Sequence, residues 1–545
     1  MNVPVSWLRD YVEFDLPLDE LAERLAVSTC EVERISRRGV VDADGNLGRF
    51  LVGRVVAADK HPNADRLQLC RVDVGEGEPR QIVCGAWNFG AGATVAVALP
   101  GAVLPGGTTL ERATLRGSVS DGMILSEREL ELGPDHAGIL VLDEGPEPGT
   151  PLADVLPVGE DVLELEVTGN RPDLLSVYGI AREVAALFPG RAELRPLPGR
   201  EPTRAGEEPV DVTIEDVHAA PRYVGRLFRD VRIAPSPPWL RARLTAAGMR
   251  PISNVVDVTN YVMHALGNPL HAFDFDTLGG RRVVVRAARQ GEALRTLDGV
   301  ERRLDPTVLV IADAERPVAL AAVMGGEETE VRPDTTSVLL EAANFEPSGI
   351  LRTSERLALR TAGSNRWEKG VDPYLAEPAA VYATELLVQL ARARWTGGVD
   401  VHAGLPEPPR LSYRPERGDA LVGIAVPAED QRSLLARFGF RVGDDWTVAV
   451  PTWRARDVTR EADVVEEIAR AHLDEVPFTL PARRQGARLT AAQRLRRTVE
   501  DVLVGAGFEE AYTLSLAPAD PAEGALRLPD PLSAEHAVLR TTLLR

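Results

Sequence analysis

Four carboxylates stand at a fixed spacing in Pro451–Leu473, PTWRARDVTREADVVEEIARAHL: Asp457, Asp463, Glu466 and Glu467. A helix beginning near Asp457 puts Asp463, Glu466 and Glu467 at i, i+3 and i+4 on one face. It turns Val464, Val465 and Ile468 toward a core. Asp457 lies six residues before Asp463 and is the kind of short polar residue that caps a helix start. Carboxylate oxygens clustered on a seated helix suit a hard cation such as Mg²⁺, which takes one or two carboxylates and keeps several waters. The plainer reading is a solvated acidic face, the usual fate of such charge runs.

A second set of polar residues sits in apolar surroundings. VVDVTNYVMHALGNPLHAFDFDTL carries Thr259, Asn260, His264 and His271, ALAAVMGGEETEV brings Gly325 and Gly326 after Ala321-Ala322, and VLLEAANF sets Glu341 inside an apolar run. A carboxylate in such a run must be paired or used. A glycine pair beside a strand lets backbone approach a ligand closely. Each has a blander alternative: His264 as a partly exposed helix histidine, His271 as a structural hydrogen-bonder, Glu341 as the partner of an arginine. The turn containing Asn170, Arg171 and Asp173 is either a ligand site or simple turn closure.

These residues need several elements to position them. At 545 residues the chain is too long for one core and reads as a multidomain α+β protein. Residues 1–38 are an N-terminal segment with a strand-like start and a helix after Pro17. Residues 39–150 hold short β-type runs at Phe50–Ala57, Leu67–Val74, Gln81–Gly85 and Thr94–Leu99, parted by Gly- and Pro-rich turns. That is the pattern of a small β-barrel, and an oligonucleotide-binding barrel fits the size, although periodicity alone does not separate it from other small barrels. Residues 151–200 add a strand at Val162–Val167 and a helix from about Leu175 to Leu187, a connecting segment expected to pack with the N-terminus. Residues 211–400 form a mixed α/β domain around Glu341. Residues 406–481 form a small α/β domain with the acidic helix. Residues 486–545 begin another, with a helix at Leu489–Ala506 and a strand at Glu510–Leu516. Stretches rich in Pro and Gly at 191–210 and 401–410 read as linkers.

The chain has 62 Lys and Arg against 82 Asp and Glu, a net charge of −20. That argues against broad nonspecific nucleic-acid binding, so any RNA contact has to come from local patches, stacking or shape. Residues 49–150 repeat the imbalance, with nine Lys and Arg against fourteen Asp and Glu. Cys30, Cys70 and Cys84 are odd in number and lack zinc-like spacing, which implies neither a disulfide framework nor structural zinc. The N-terminus has no signal-peptide pattern, and no uninterrupted apolar run reaches the roughly 18 residues of a membrane span. A cytoplasmic protein without membrane contact is expected. No loop resembles a phosphate cradle.

Several segments, kept in order across essentially the whole chain, resemble the beta subunits of bacterial phenylalanyl-tRNA synthetases. HPNADRLQLCRVDVG, QIVCGAWN, ALPGAVLPGG and LRGSVSDGM are similar to that family's tRNA-binding barrel. The D-x5-D-x2-E-E spacing after Trp453-Arg454 is similar to its acidic motif, which implies Mg²⁺ bound by Asp457, Asp463, Glu466 and Glu467 close to an alpha subunit. The domain around Glu341 resembles its editing domain. This implies a pocket lined by Thr259, Asn260, His271, Ala322 and Glu341 that hydrolyses mischarged tyrosyl-tRNA. Glu341 would accept the phenolic hydrogen bond, and His271 and Asn260 would orient the terminal adenosine or the attacking water. The resemblance also implies phenylalanine–tRNA ligase activity (EC 6.1.1.20) in a complex of two alpha and two beta subunits, with tRNA as partner and ATP and phenylalanine at the alpha site. Residues 486–545 would open a catalytically inactive synthetase-like domain, cut at Arg545. The rival readings are a free-standing tRNA-binding or editing fragment and an inactive truncated chain.

The chain departs from the family pattern at several points. The gap from Trp453 to Asp457 is one residue longer, and the turn at Ala471-His472-Leu473-Asp474 is one shorter. Ala322 and Ala358 replace usual glycines, and Ala362-Gly363 replaces an acid–alanine pair. The expected consequences are a displaced Asp457, a narrowed pocket and weakened editing.

Overall fold

The first 39 residues are tied to a strand far along the chain. Asn2–Pro4 and Glu31–Gly39 both pair antiparallel with Gly159–Glu166, which runs between them. Val3, Leu163 and Leu165 turn inward from this sheet onto Trp7 and Leu8 of the helix Val5–Tyr11 and Leu21 and Leu25 of the helix Leu18–Ser28. The segment expected to hold one helix therefore holds two. A third, Val177–Leu187, joins the same core and is capped by Ser176, whose hydroxyl accepts from the Gly179 N–H at 2.9 Å. The computed structural model describes residues 1–133, 138–142, 146–480, 486, 488–520, 522 and 524–544. They form two units, Met1–Val476 and Pro477–Arg545.

Between Gly39 and Gly159 the chain builds a six-stranded sheet around Phe50–Lys60, Gln68–Asp73, Arg80–Cys84 and Thr94–Ala98. Alternate residues such as Val55, Cys70, Val72, Ile82, Val95 and Val97 fill its interior. The Asp121 N–H donates to the Gln81 carbonyl at 2.8 Å, and the Gln81 side chain donates to the Val119 carbonyl at 2.8 Å. These bonds bring late and early strands together, so the sheet is a nearly closed barrel.

The middle of the chain packs two sheets face to face. One is antiparallel, in the order His271–Asp274, Val338–Asn344, Arg222–Arg229, Arg394–His402. The other has five strands, including Arg282–Ala287, Leu309–Ala312 and Pro317–Leu320. Because side chains alternate along a strand, Val338, Leu340 and Ala342 face the helices Asn254–Leu266 and Ala376–Leu390. Leu339 and Ala343 instead join Tyr223, Leu227 and Phe273 against the second sheet. Glu341 falls on this second face. The stretch 191–210, read as a linker, lies against the body: Ala192–Leu194 pairs with Val12–Phe14, and the Arg200 N–H donates to Glu385.

In the small domain the acidic helix spans Glu461–Ala469 and packs Val464, Val465 and Ile468 against Leu434, Phe438 and Val448, as the periodicity requires. It starts later than the sequence suggested, and Asp457 is not its cap. Asp463 Oδ2 instead accepts from the backbone N–H of Thr459 at 2.8 Å and of Arg460 at 3.0 Å, while Asp457 is drawn to Arg454 at 2.9 Å. Glu467, one turn beyond Val464, sits at the edge of the apolar face and is 1% exposed. It belongs to a buried chain of ion pairs: Glu467 to Arg454 (2.6 Å) and Arg470 (2.8 Å), Arg470 to Glu183 (2.6 Å), and Arg171 to Glu183 (2.8 Å) and Asp173 (2.9 Å). The turn residues Arg171 and Asp173 are thus internal counter-ions. Asn170 donates to Asp457 at 3.1 Å.

In the second unit a helix spans Ala491–Gly505, with Thr490 and Gln493 forming a capping box. The strand expected at Glu510–Leu516 is reduced to Leu516–Ala517, paired with Val538–Leu539. Tyr512 and Leu514 are exposed, with no sheet neighbour among the described residues to hold them extended. The domain edges anticipated at 481 and 545 lie outside the described residues.

Burial would raise the Glu183 carboxyl, but Arg171 and Arg470 outweigh it and hold the group well below its ordinary range. Asp173 and Glu467 are also lowered against burial by their arginines. Carboxylates depressed in the folded state contribute stability above their unfolded pKa of about 4, and that stability is lost as pH falls below it. Arg470→Met, which strands Glu467 and Glu183, is expected to cost about 3–5 kcal/mol at pH 7. Denaturant unfolding at a series of pH values should show the difference shrinking as these carboxylates protonate.

Candidate active site

Glu341 lies opposite His271 on one side and Gly225 on the other in antiparallel register. Residues directly opposite share a face, so the carboxylate and the imidazole both point between the two sheets. There they line a cavity of about 390 Å³, within the usual range for a small-ligand site. Its remaining walls come from the helix Asn254–Leu266, the strand–turn segment 319–325 and the turn 361–363, with Trp367 behind. The structure gathers Thr259, Asn260, His271, Ala322 and Glu341 around this one space.

No cation neutralises Glu341 among the described residues. It is 7% exposed, and its Oε2 has no hydrogen-bond partner. Burial pushes its carboxyl up to about 7. The nearest relief is Tyr223, whose hydroxyl is buried and also lacks a well-formed hydrogen bond. The two groups are close enough to perturb each other: the phenol draws the carboxyl down, and the carboxylate joins burial in pushing the phenol far up. A Cβ on Gly225 would meet the Tyr223 ring at 3.6 Å, an ordinary contact, so the ring borders this side of the strand pair. Sequence reasoning missed Tyr223 because only strand register brings it near Glu341.

His271 keeps a little accessible surface because it borders the cavity, yet protein surrounds the ring. Desolvation pulls it down to about 4, so it is neutral at physiological pH. It stands edge-on to Phe273, with centroids 4.5 Å apart. The glycine pair serves the protein itself. A Cβ on Gly325 would stand 2.6 Å from His271 Cε1, and one on Gly326 2.4 Å from the Val318 carbonyl oxygen. Thr259 donates to the Val256 carbonyl at 2.7 Å, which leaves its oxygen free to accept. Asn260, one residue on, is partly exposed. His264 is buried on another side of the same helix, its ring 6.4 Å from Trp7, and takes no part in the cavity.

The acidic set is not gathered in the same way. Asp457 and Glu467 are both held by Arg454, Asp463 is occupied by the helix start, and Glu466 is exposed. Among the described residues, no three His, Cys, Asp or Glu side chains converge to hold a metal ion. The four carboxylates, as arranged, do not fit one ion together.

Four family models cover most of the chain: a tRNA binding domain (50–151), the B3/4 domain (219–392), the tRNA synthetase B5 domain (411–472) and the phenylalanyl tRNA synthetase beta chain CLM domain (476–545). The phenylalanine–tRNA ligase beta subunit of Anaeromyxobacter dehalogenans is 44% identical over all of this chain and 69% of its own length. That of Moorella thermoacetica is 43% identical over all of this chain and 70% of its own. The chain belongs to the phenylalanine–tRNA ligase beta subunit family. An N-terminal fragment of the Pyrococcus horikoshii phenylalanyl-tRNA synthetase beta-subunit matches 61% of this chain and 90% of its own at 16% identity, with a TM-score of only 0.32, too loose to define the fold.

Within the beta-subunit family the cavity lies inside the B3/4 match and the acidic helix inside the B5 match. Two of the departures acquire a physical meaning. Ala322 has φ +66° and Ala358 φ +48°, the left-handed region where glycine is at ease and a Cβ is strained. Ala322→Gly should therefore relieve strain and stabilise the beta subunit by up to about 1 kcal/mol, while widening the cavity wall. Gly325→Ala, which drives a methyl into the His271 ring, should destabilise it by about 1–3 kcal/mol. Denaturant unfolding of the two variants, with opposite signs expected, checks both.

Proposed function

We propose that this beta subunit supports ATP-dependent attachment of phenylalanine to its tRNA at a site on an alpha subunit and itself hydrolyses tyrosyl-tRNA in the cavity around Glu341. The observation that carries the reading is a buried carboxylate without a counter-ion in a cavity of amino-acid size. Tyrosine differs from phenylalanine by one hydroxyl, which an apolar synthetic pocket rejects only weakly. A carboxylate without a counter-ion in this cavity reads that hydroxyl. The phenol of tyrosine satisfies it, and a phenylalanine ring leaves it unpaired at a cost of about 1–3 kcal/mol.

Neutral His271, beside Glu341 on the same sheet face, and the Asn260 amide orient the terminal adenosine and the attacking water. Thr259 offers its remaining oxygen lone pairs to the same end. Water adds to the ester carbonyl, the ester C–O bond breaks, and the adenosine hydroxyl leaves with the proton, so atoms and charge balance. The Ala322 methyl narrows the wall where the substrate backbone passes. The barrel, despite its acidic balance, serves as a tRNA contact through shape and stacking.

Magnesium enters this reading at the solvent edge of the acidic helix. Glu466 would offer its exposed carboxylate, whereas Asp463 would join only by leaving the Thr459 and Arg460 N–H groups, and Asp457 and Glu467 only by leaving Arg454. The partner implied is the alpha subunit, two of each per complex, with ATP and phenylalanine bound on alpha, in the cytoplasm. Among the described residues no helix is long and apolar enough to cross a membrane.

Two measurements test the reading. In a tyrosyl-tRNA deacylation assay the rate should rise through a midpoint near pH 7 as Glu341 ionises. His271→Asn should lower the rate and keep that midpoint, because His271 is neutral throughout, whereas Glu341→Ala should abolish both midpoint and selectivity over phenylalanyl-tRNA. Equal hydrolysis by wild type and Glu341→Ala removes the role given to Glu341. Co-elution with the alpha subunit on size exclusion is expected, and its failure would favour a free-standing editing fragment.

A further inference from the structure

A second cavity, of about 410 Å³, lies where the helix Val177–Leu187, the turn after Leu266 and the turn at Thr452-Trp453 meet. Its walls are apolar: Tyr178, Leu266, Val371, Leu375, Pro378 and Trp453. Three charged side chains line it: Asp173, which Arg171 neutralises, and the opposite charges of Arg182 and Asp372. Arg182 stacks on Trp453, with its guanidinium carbon 4.2 Å from the ring centroid. No group among the described residues accepts a hydrogen bond from this arginine, and its Nε is fully buried. Asp173, which attracts Arg182, has both oxygens engaged by Arg171 at 2.9 Å each. Burial accordingly pulls the Arg182 guanidinium down.

Asp372 carries the negative charge. It accepts from Thr452 at 2.6 Å and from the Tyr374 N–H at 2.9 Å, and each oxygen keeps a lone pair. Burial pushes its carboxyl up, against those bonds and the attraction of Arg182. A buried guanidinium Nε–H without an acceptor, on a half-buried arginine, needs an explanation, and a carboxylate is the group whose geometry the guanidinium fork matches. An ammonium near Asp372 would relieve the other charge. An apolar side chain lying against the remaining walls completes the requirement.

We infer that this cavity binds a free α-amino acid with a bulky apolar side chain, its carboxylate on Arg182 and its ammonium toward Asp372. The site is separate from the Glu341 cavity but borders its supports. Leu266 and Gly267 end the helix that carries Thr259 and Asn260, and Val371 follows closely on Trp367. Occupancy would brace that helix end against the Trp453 turn, which precedes the acidic helix.

Isothermal titration of the 545-residue chain with L-phenylalanine as probe tests this. Saturable one-to-one binding is expected, weakened at least about tenfold in Arg182→Met, since charge-assisted hydrogen bonds of this kind are worth a factor of ten or more. Phenethylamine and 3-phenylpropionate, each missing one charge, should bind at least about tenfold more weakly than phenylalanine. Leu375→Trp, which fills the cavity without touching either charge, should abolish binding and guards against a misfolded Arg182 variant. The inference is overturned if Arg182→Met and Leu375→Trp both bind phenylalanine as the parent does. It is also overturned if either singly charged analogue binds as tightly as phenylalanine, or if no saturable heat is seen up to about 10 mM.

Discussion

A carboxylate shut between two sheets, with no cation among the described residues to neutralise it, is the constraint on which the domain around Glu341 turns. The strand Val338–Asn344 is buried on both faces, and its alternation sends Glu341 to the inter-sheet side with Leu339 and Ala343. Desolvation of an unpaired carboxylate is costly, so the surroundings must yield space, a proton or a ligand. All three are present in outline. The cavity supplies space, a carboxyl raised to about 7 holds its proton part of the time, and the spare lone pairs of Oε2 await a donor. Gly325 is the concession of a neighbouring strand, making room for the imidazole of His271.

The small domain shows the opposite solution to the same physics. Glu467 and Glu183 are as deeply buried as Glu341 but are flanked by Arg454, Arg470 and Arg171, and their carboxyls are held down. The difference separates a structural role from a chemical one. Where guanidinium groups saturate a carboxylate, its oxygens have nothing left for a ligand. The chain uses that arrangement to join the acidic helix to the N-terminal module. The acidic motif is therefore divided: Glu467 is buried, Asp457 and Asp463 are tied to neighbouring groups, and Glu466 is exposed.

Much of this was legible in sequence wherever one element decides the outcome. The barrel strands, the helix through 177–187 and the apolar face Val464, Val465 and Ile468 follow from local periodicity. The oddity of Glu341 in an apolar run is visible at once. What was not legible depends on register and on distant partners. Tyr223 reaches Glu341 only through strand pairing. Glu467 becomes buried because Arg470 meets Glu183, far away in sequence. Asp457 was read as a helix cap because its spacing allows it, but Arg454 is closer and charged. The strand at Glu510–Leu516 failed because β-propensity without a neighbouring strand does not hold a chain extended. The alanines at 322 and 358 were visible as departures, and their left-handed backbone explains why glycine suits those positions.

The central claim is that Glu341 is an uncompensated carboxylate kept for a phenolic donor. Its titration can be followed directly by carbon-13 NMR of the side-chain carboxyl, in the free protein and with non-hydrolysable tyrosyl- and phenylalanyl-adenosine analogues. A midpoint near 7 is expected in the free protein, with a marked fall when the tyrosyl analogue donates its hydroxyl and no fall with the phenylalanyl analogue. A free-state midpoint at the ordinary glutamate value of about 4.3, or equal shifts with both analogues, would contradict it.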